Sequence, residues 1–250
     1  MPLARDWDGD SYDRVSQPME LLGRAVLERL ELRGDETVLD AGCGTGRVTE
    51  ALVERLARGR VIAVDASESM VRVASERLGG RAEVWLCDLL ELRVAEPVDA
   101  IFSTATFHWI SDHDRLYRRL RAALAPGGQL VAQCGGEGNI ASVHAAASVL
   151  AARPPFASYL EGWVGPWNFT SPEQARSSLM QAGFAEARCW LMAAPVRPEE
   201  PHEYLRTVNL GAHLQRLPVQ LRDDFVEAVL ERLGTPLTID YVRLNIDARA

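Results

Sequence analysis

The 250-residue chain is predicted to fold as an α/β protein, a three-layer sandwich whose doubly wound, mostly parallel seven-stranded sheet carries an inserted helical cap. Two observations predict this class. Short, unbroken apolar runs alternate with amphipathic helical patterns through five strands in about 100 residues, the order that a parallel sheet with crossover helices requires. The first three of those runs also close on acids, Asp40, Asp65 and Asp88. Ligands in such sheets bind beyond the carboxyl ends of the strands, which is where these acids fall.

The elements justify themselves in order. Residues 1–18 form an N-terminal segment that is polar, punctuated by Trp7 and Tyr12. Beyond Pro18, Leu21, Leu22, Ala25, Val26 and Leu30 recur at helical spacing. The run Thr37-Val38-Leu39 then ends in Asp40 and meets Gly42, Gly44 and Gly46, a strand followed by a tight turn and a helix start. Val48, Ala51, Leu52 and Leu56 stripe that helix, and 61–65 is the second strand, apolar without alternation as a strand covered on both faces should be.

Ser67 and Ser69 offer N-caps for a helix carrying Met70, Val71, Ala74 and Leu78, which Gly79-Gly80 stops. Strands follow at 82–88 and at about 98–103, the latter opening into a loop with an exposed His108-Trp109 pair. Asp112 and Asp114 start a helix that APGG ends, and 129–134 is the fifth strand. The alternation breaks at 135–170, where paired glycines, Pro154-Pro155 and the aromatics Phe156, Tyr159, Trp163, Trp167 and Phe169 suggest an inserted cap. Ser171-Pro172-Glu173-Gln174 is a capping box with proline at the first helical position, and a strand near 187–194 follows. Amphipathic stretches within 199–235 extend the cap, and 237–246 alternates as a final antiparallel edge strand would. The whole chain, 1–250, reads as one domain.

Composition narrows the partners. A net charge of −8 disfavours a nucleic-acid footprint, and no stretch reaches the roughly 18 apolar residues of a membrane span, so a small molecule is the expected partner. All 27 basic residues are Arg, which removes a Schiff-base lysine, a P-loop lysine and a lysine base. Cys43, Cys87, Cys134 and Cys189 are far apart with no CxxC pair and read as free thiols in a reducing compartment. The N-terminus has no apolar signal region, so a cytoplasmic protein is expected, monomeric or homodimeric. No metal set is visible.

The glycine turn alone could cradle many nucleotides. A nicotinamide dinucleotide site shares the acid about 20 residues on, but its GxGxxG needs glycine where Arg47 stands. The ordered set Asp40-x-Gly42-x-Gly44-x-Gly46, Asp65, Cys87-Asp88-Leu89, VDAIFSTATFHW and LAPGG resembles the class I S-adenosylmethionine-dependent methyltransferases. Within them, FHWISD, the early Trp/Tyr segment and WNFTSPEQARSSLMQAGF look like the trans-aconitate methyltransferase and related small-molecule O-methyltransferase branch. The resemblance implies a Rossmann-like methyltransferase fold with S-adenosyl-L-methionine as donor, S-adenosyl-L-homocysteine as product, and the N-terminal segment 1–18 folded over the donor site.

It also implies residue roles. Gly42, Gly44 and Gly46 pack under the donor, Asp40 lies near its ammonium, and Asp65 accepts the ribose hydroxyls, with Ala66 and Met70 beside it. Asp88 accepts the adenine amino group while Leu89 flanks the ring, and main-chain oxygen near Ser103 completes the ammonium site. A sulfonium, an ammonium, a diol and an adenine suit strand ends rich in carboxylates.

Transfer is expected as an in-line displacement, most simply to oxygen of a carboxylate, which needs no base, or of a hydroxyl. For acceptors that need a base His108 is the candidate, because it follows the fourth strand and titrates near neutrality; it could equally pack within its loop. Trp7, Tyr12, His108, Trp109, Tyr159, Trp163 and Trp167 are candidate acceptor contacts, the aromatics serving either a pocket or the cap's own core. Were the acceptor an acid, Arg153, Arg206 or Tyr159 would be expected to hold it. The alternatives are a donor-binding protein silent in transfer, or a C- or N-methyltransferase.

Overall fold

The computed structural model describes residues 7–250. Seven strands, β1 Thr37–Ala41, β2 Arg60–Asp65, β3 Glu83–Leu86, β4 Val98–Thr104, β5 Leu124–Gly135, β6 Glu186–Ala193 and β7 Val242–Arg249, form one sheet in the order β3-β2-β1-β4-β5-β7-β6. The first five are parallel, and β7 runs antiparallel between β5 and β6. The order reverses at β1, so the crevice beyond the carboxyl ends of β1 and β4 is the natural ligand site of this topology.

Two-residue periodicity divides the sheet between its covering layers. Val38, Val61, Ala100, Phe102 and Val131 face α2 (Gln17–Leu27) and α3 (Arg47–Arg55), with Ala63 meeting α4 (Glu68–Leu78) beside them. Leu39, Ala41, Ile62, Val64, Ile101, Leu130 and Ala132 face the other way, toward α5 (His113–Ala123) and α8 (Pro172–Gln181). This accounts for the absence of polar alternation in β1 and β2: both faces are covered.

A third core belongs to the cap. Here α6 (Ala141–Ala151), α7 (Ala157–Leu160), α9 (Pro201–Tyr204), α10 (Gly211–Arg216) and α11 (Arg222–Leu233) gather around Val143, Phe156, Leu160, Tyr204, Leu205 and Phe225. Phe156 and Phe225 meet edge to face at 5.0 Å. Each large apolar side chain sealed in this way contributes roughly 1.5–3 kcal/mol.

Three expectations change. The last strand is not an edge: β7 is hydrogen-bonded on both sides and mostly buried, and the exposed edge is β6. Its start also moves to Val242, the preceding residues making only an isolated bridge, Val196 to Ile239. The APGG stop lies inside β5, which begins at Leu124 and bulges, the register passing from Val98 opposite Leu124 to Ala100 opposite Gln129, with Gly127 at φ +77°. Finally, the N-terminal segment contains a helix, α1 (Gly9–Val15), capped by Asp8; positions 1–6 of that segment lie outside the described residues.

Candidate active site

The glycine turn between β1 and α3 has a separate cause for each glycine. Gly42 (φ +90°) runs so close to the β4 loop that a Cβ would sit 2.1 Å from Thr106 Oγ1. Gly44 (φ +55°) has nothing within 4 Å of that position, so its backbone is bare toward open space. Gly46 (φ +81°) is the N-cap of α3 and packs 3.3 Å from Ala74. Only Gly42 and Gly44 line the large cavity above the sheet; Gly46 positions the helix instead.

That cavity encloses about 770 Å³ and brings together Asp40, Gly42, Gly44, Asp65, Ala66, Met70, Asp88 and Leu89. Asp65 is held by its own turn, Oδ2 accepting from Gly44 N and Oδ1 from Ser67 N, both at 2.9 Å. Burial pushes its carboxyl up against these two N–H groups and that of Ala66. Asp88 caps the 3₁₀ turn Leu89–Glu91, its Oδ1 accepting from Leu90 N at 2.9 Å, and lines the cavity beside the buried Leu89. Asp40 is 2 % exposed and accepts from Thr49 Oγ1 at 2.6 Å. Burial, with Asp65 adding, lifts it to about 7 against that hydrogen bond.

The β4 side of the cavity differs from expectation. Ser103 is buried, and its hydroxyl donates to Ala41 O at 2.6 Å, bridging β4 to β1. The lining passes to Thr104, Ala105 and Thr106. Ala105 has φ +56°, a conformation an alanine adopts only when its surroundings impose it; here its N–H is fixed on Gln133 O at 2.8 Å. Nothing in the sequence marks that strained residue.

Of the proposed acceptor contacts, Trp7, Tyr12, Trp109 and Trp163 line the cavity. Trp7 meets Tyr12 at 5.4 Å and Trp109 at 5.2 Å, both edge to face, closing an aromatic wall. Trp167 stands behind it, 5.9 Å from Trp109 and from Trp163, and does not line the cavity. Tyr159 is an exposed cap residue whose carbonyl accepts from Arg216 Nε at 3.3 Å. Arg153 and Arg206 also lie off the lining, and Arg206 is paired with Asp223.

His108 is corrected most strongly. Its ring is buried, stacks 5.7 Å from Phe169, and uses Nδ1 to accept the Gly135 N–H at 3.2 Å. Burial, reinforced by Arg243 and His113, pushes it well below the ordinary histidine range, so it is neutral and does not line the cavity. It packs between Gly135 and Phe169, and among the described residues no histidine lines the cavity.

The sequence also hides how the wall is tied down. Arg47, which stands where a dinucleotide turn has glycine, donates from Nε to Asp13 at 2.7 Å and pairs with Glu20 at 3.0 Å. Asp13 further accepts from Thr45 Oγ1 and Arg77, both at 2.8 Å. Burial disfavours its charge, but these partners outweigh that and hold it below the ordinary carboxylate range. Gly9 N donates to Ser69 Oγ at 3.0 Å, so α1 is strapped across the turn and α4.

The comparisons can now be placed beside this geometry. A methyltransferase-domain family matches residues 38–128, which carry the turn and the three strand-end acids. A trans-aconitate 2-methyltransferase of Azoarcus sp. is 39% identical over 127 residues, 51% of this chain and 50% of that protein. The chain thus matches about half the length of that relative. One from Methylobacterium nodulans is 32% identical over 189 residues, 76% of this chain and 68% of that protein. Among solved structures, a phosphoethanolamine N-methyltransferase 2 from Haemonchus contortus, in complex with phosphomonomethylethanolamine and S-adenosylhomocysteine, superposes with a TM-score of 0.62 at 20% identity. It covers 97% of this chain and 56% of that one, a likeness of fold.

Proposed function

The chain belongs to the S-adenosylmethionine-dependent methyltransferases, in the family that holds the trans-aconitate 2-methyltransferases, and from that premise we propose that it methylates a carboxylate oxygen of a small organic acid. The observation that carries the reading is the layout of one cavity. Carboxylates from the ends of β1, β2 and β3 share its lining with an aromatic wall, and among the described residues no histidine joins them.

The residues fit the donor. Gly44 leaves open space above a bare turn, and Asp65 has both oxygens fixed by backbone N–H groups yet keeps lone pairs for a diol. Asp88 presents an oxygen beside Leu89, and Asp40 offers a buried carboxylate to an ammonium. When bound, S-adenosylmethionine supplies a methyl group on a sulfonium, already activated for displacement. The chain then has to orient and exclude water, which Trp7, Tyr12 and Trp109 do as a roof held by the Asp13–Arg47 pair.

A phenol or amine acceptor loses a proton on transfer and profits from a base. A carboxylate is ionised already. The withdrawal of His108 from the cavity therefore favours the carboxylate. The test is transfer of labelled methyl from S-adenosylmethionine to a panel of acids, trans-aconitate among them, with phenols and amines alongside. A product that mild alkali returns to the starting acid is expected. Transfer only to phenols or amines, or donor binding without transfer to any compound, would overturn the reading.

A further inference from the structure

An arginine of the cap lines the cavity with no carboxylate partner among the described residues. Two arginines line the cavity, and Arg47 is committed to Asp13 and Glu20. The other, Arg216, makes a single hydrogen bond, from Nε to Tyr159 O at 3.3 Å, and forms no ion pair among the described residues. Its guanidinium carbon lies 5.4 Å from the ring centre of Trp163, another lining residue. Both terminal nitrogens are left without an acceptor among the described residues.

From this we propose that Arg216 determines acceptor specificity by gripping a carboxylate of the acceptor other than the one methylated. The proposal rests on the carboxylate-acceptor reading above. Two parallel N–H groups of a guanidinium match a carboxylate in a bidentate fork, and stacking on an indole holds the fork's plane. Electrostatics assign the grip to a remote carboxylate. The reacting one must enter a field set by Asp40, Asp65 and Asp88, where attraction is weak, so binding strength has to come from a cation elsewhere on the lining.

The fold aims the residue. Ala212, Gln215 and Arg216 all line the cavity, and their spacing of three and four residues places them on one face of α10. A single π-helical turn, Leu205–Asn209, precedes that helix and is pinned by Asn209 Nδ2 donating to the buried Tyr241 hydroxyl at 3.0 Å. Such a turn inserts one residue and rotates everything after it, and it recurs at functional sites. It directs a polar face of α10 into the cavity while Leu214 joins the cap core.

The experiment titrates trans-aconitate into the protein saturated with S-adenosylhomocysteine, followed by calorimetry, for the native chain, Arg216→Gln and Arg216→Lys. Arg216→Gln should weaken acid binding about tenfold or more and raise the KM for the acid while sparing kcat. Arg216→Lys should recover part of the loss, having the charge but not the fork. Unchanged affinity for S-adenosylhomocysteine in both variants shows that the fold and donor half are intact. Equal affinities of native and Gln forms for the acid, or no binding to the native complex, overturn the proposal. Turnover of the acid with affinity insensitive to Arg216 removes this role and leaves methyl transfer standing. Acid binding that depends on Arg216 without turnover does the reverse.

Discussion

The titration of Asp40 gives the sharpest test of the donor site. Its carboxyl is 2 % exposed, held by Thr49, and lifted to about 7 by burial and by Asp65. If the ionised form is the one that receives the donor's ammonium, apparent affinity scales with the ionised fraction. That fraction is about one-eleventh at about pH 6 and about ten-elevenths at about pH 8, so binding should strengthen about tenfold across that interval. Isothermal titration with S-adenosylhomocysteine measures it, and repeating the titration in buffers of different ionisation enthalpy counts the proton released near neutrality. Asp40→Asn should bind more weakly at the upper pH and lose the slope. Thr49→Val, which removes the hydrogen bond favouring the anion, should move the slope to higher pH. The same linkage acts on the ligand-free fold. Folded Asp40 keeps its proton up to about 7 and the unfolded chain releases it near 3.8, so stability from this group is lost as pH rises through that window. A pH-independent affinity in the native protein, or a slope that survives in Asp40→Asn, would refute the assignment.

Other substitutions separate the remaining roles. Asp65→Ala removes two prospective charge-assisted hydrogen bonds and strands the Gly44 and Ser67 N–H groups, so affinity for S-adenosylhomocysteine should fall roughly a hundredfold by calorimetry. An unchanged affinity would remove Asp65 from the donor site. His108→Asn keeps an acceptor for the Gly135 N–H and should leave the pH profile of kcat in place. A drop of about a hundredfold or more, the cost of deleting a base, would restore the catalytic role withdrawn here. Asp13→Ala frees Arg47, Arg77 and Thr45 together, so α1 should become sensitive to proteolysis and donor affinity should decline, with strong salt mimicking the effect in the native chain. Native-like resistance in that variant would show that the strap holds without its ion pairs.

The donor half was legible because it is local. A strand, its terminal acid and the turn that follows lie within a few residues, and each carries its own signature: unbroken apolarity, a carboxylate, glycines at positive φ. The sheet followed from repetition of that unit, and its error came where repetition stopped. β7 alternates apolar and polar residues as an edge strand would, yet it is buried on both faces, and nothing in its own residues tells whether one neighbour or two will pair with it. The proposed acceptor half has no such signature. Its lining comes from Tyr12, Thr104, Ala105, Trp109, Trp163 and Arg216, on segments joined only by the tertiary fold. Arg216 looked like any arginine on an amphipathic helix until the π turn ahead of it set its direction, and His108 looked reactive until Gly135 and Phe169 enclosed it.

That division has a physical consequence for how acceptor choice can vary. The sheet cores around Leu39 and Val38 contain none of the cap helices, whereas the cap core around Phe225 gathers α6, α7, α9 and α11 together with Val15 and Met19 of α1 and α2. Repacking the cap therefore moves Trp163, Arg216 and α1 together, while Asp40, Asp65 and Asp88 stay fixed by strands that do not share its side chains. The roof is the exception to independence, since Arg47 and Thr45 of the glycine turn hold Asp13. Closure over the donor and the shape of the acceptor pocket are thus coupled through α1. An acceptor gripped by Arg216 should in turn steady the roof and slow donor release, a linkage that must run equally in both directions.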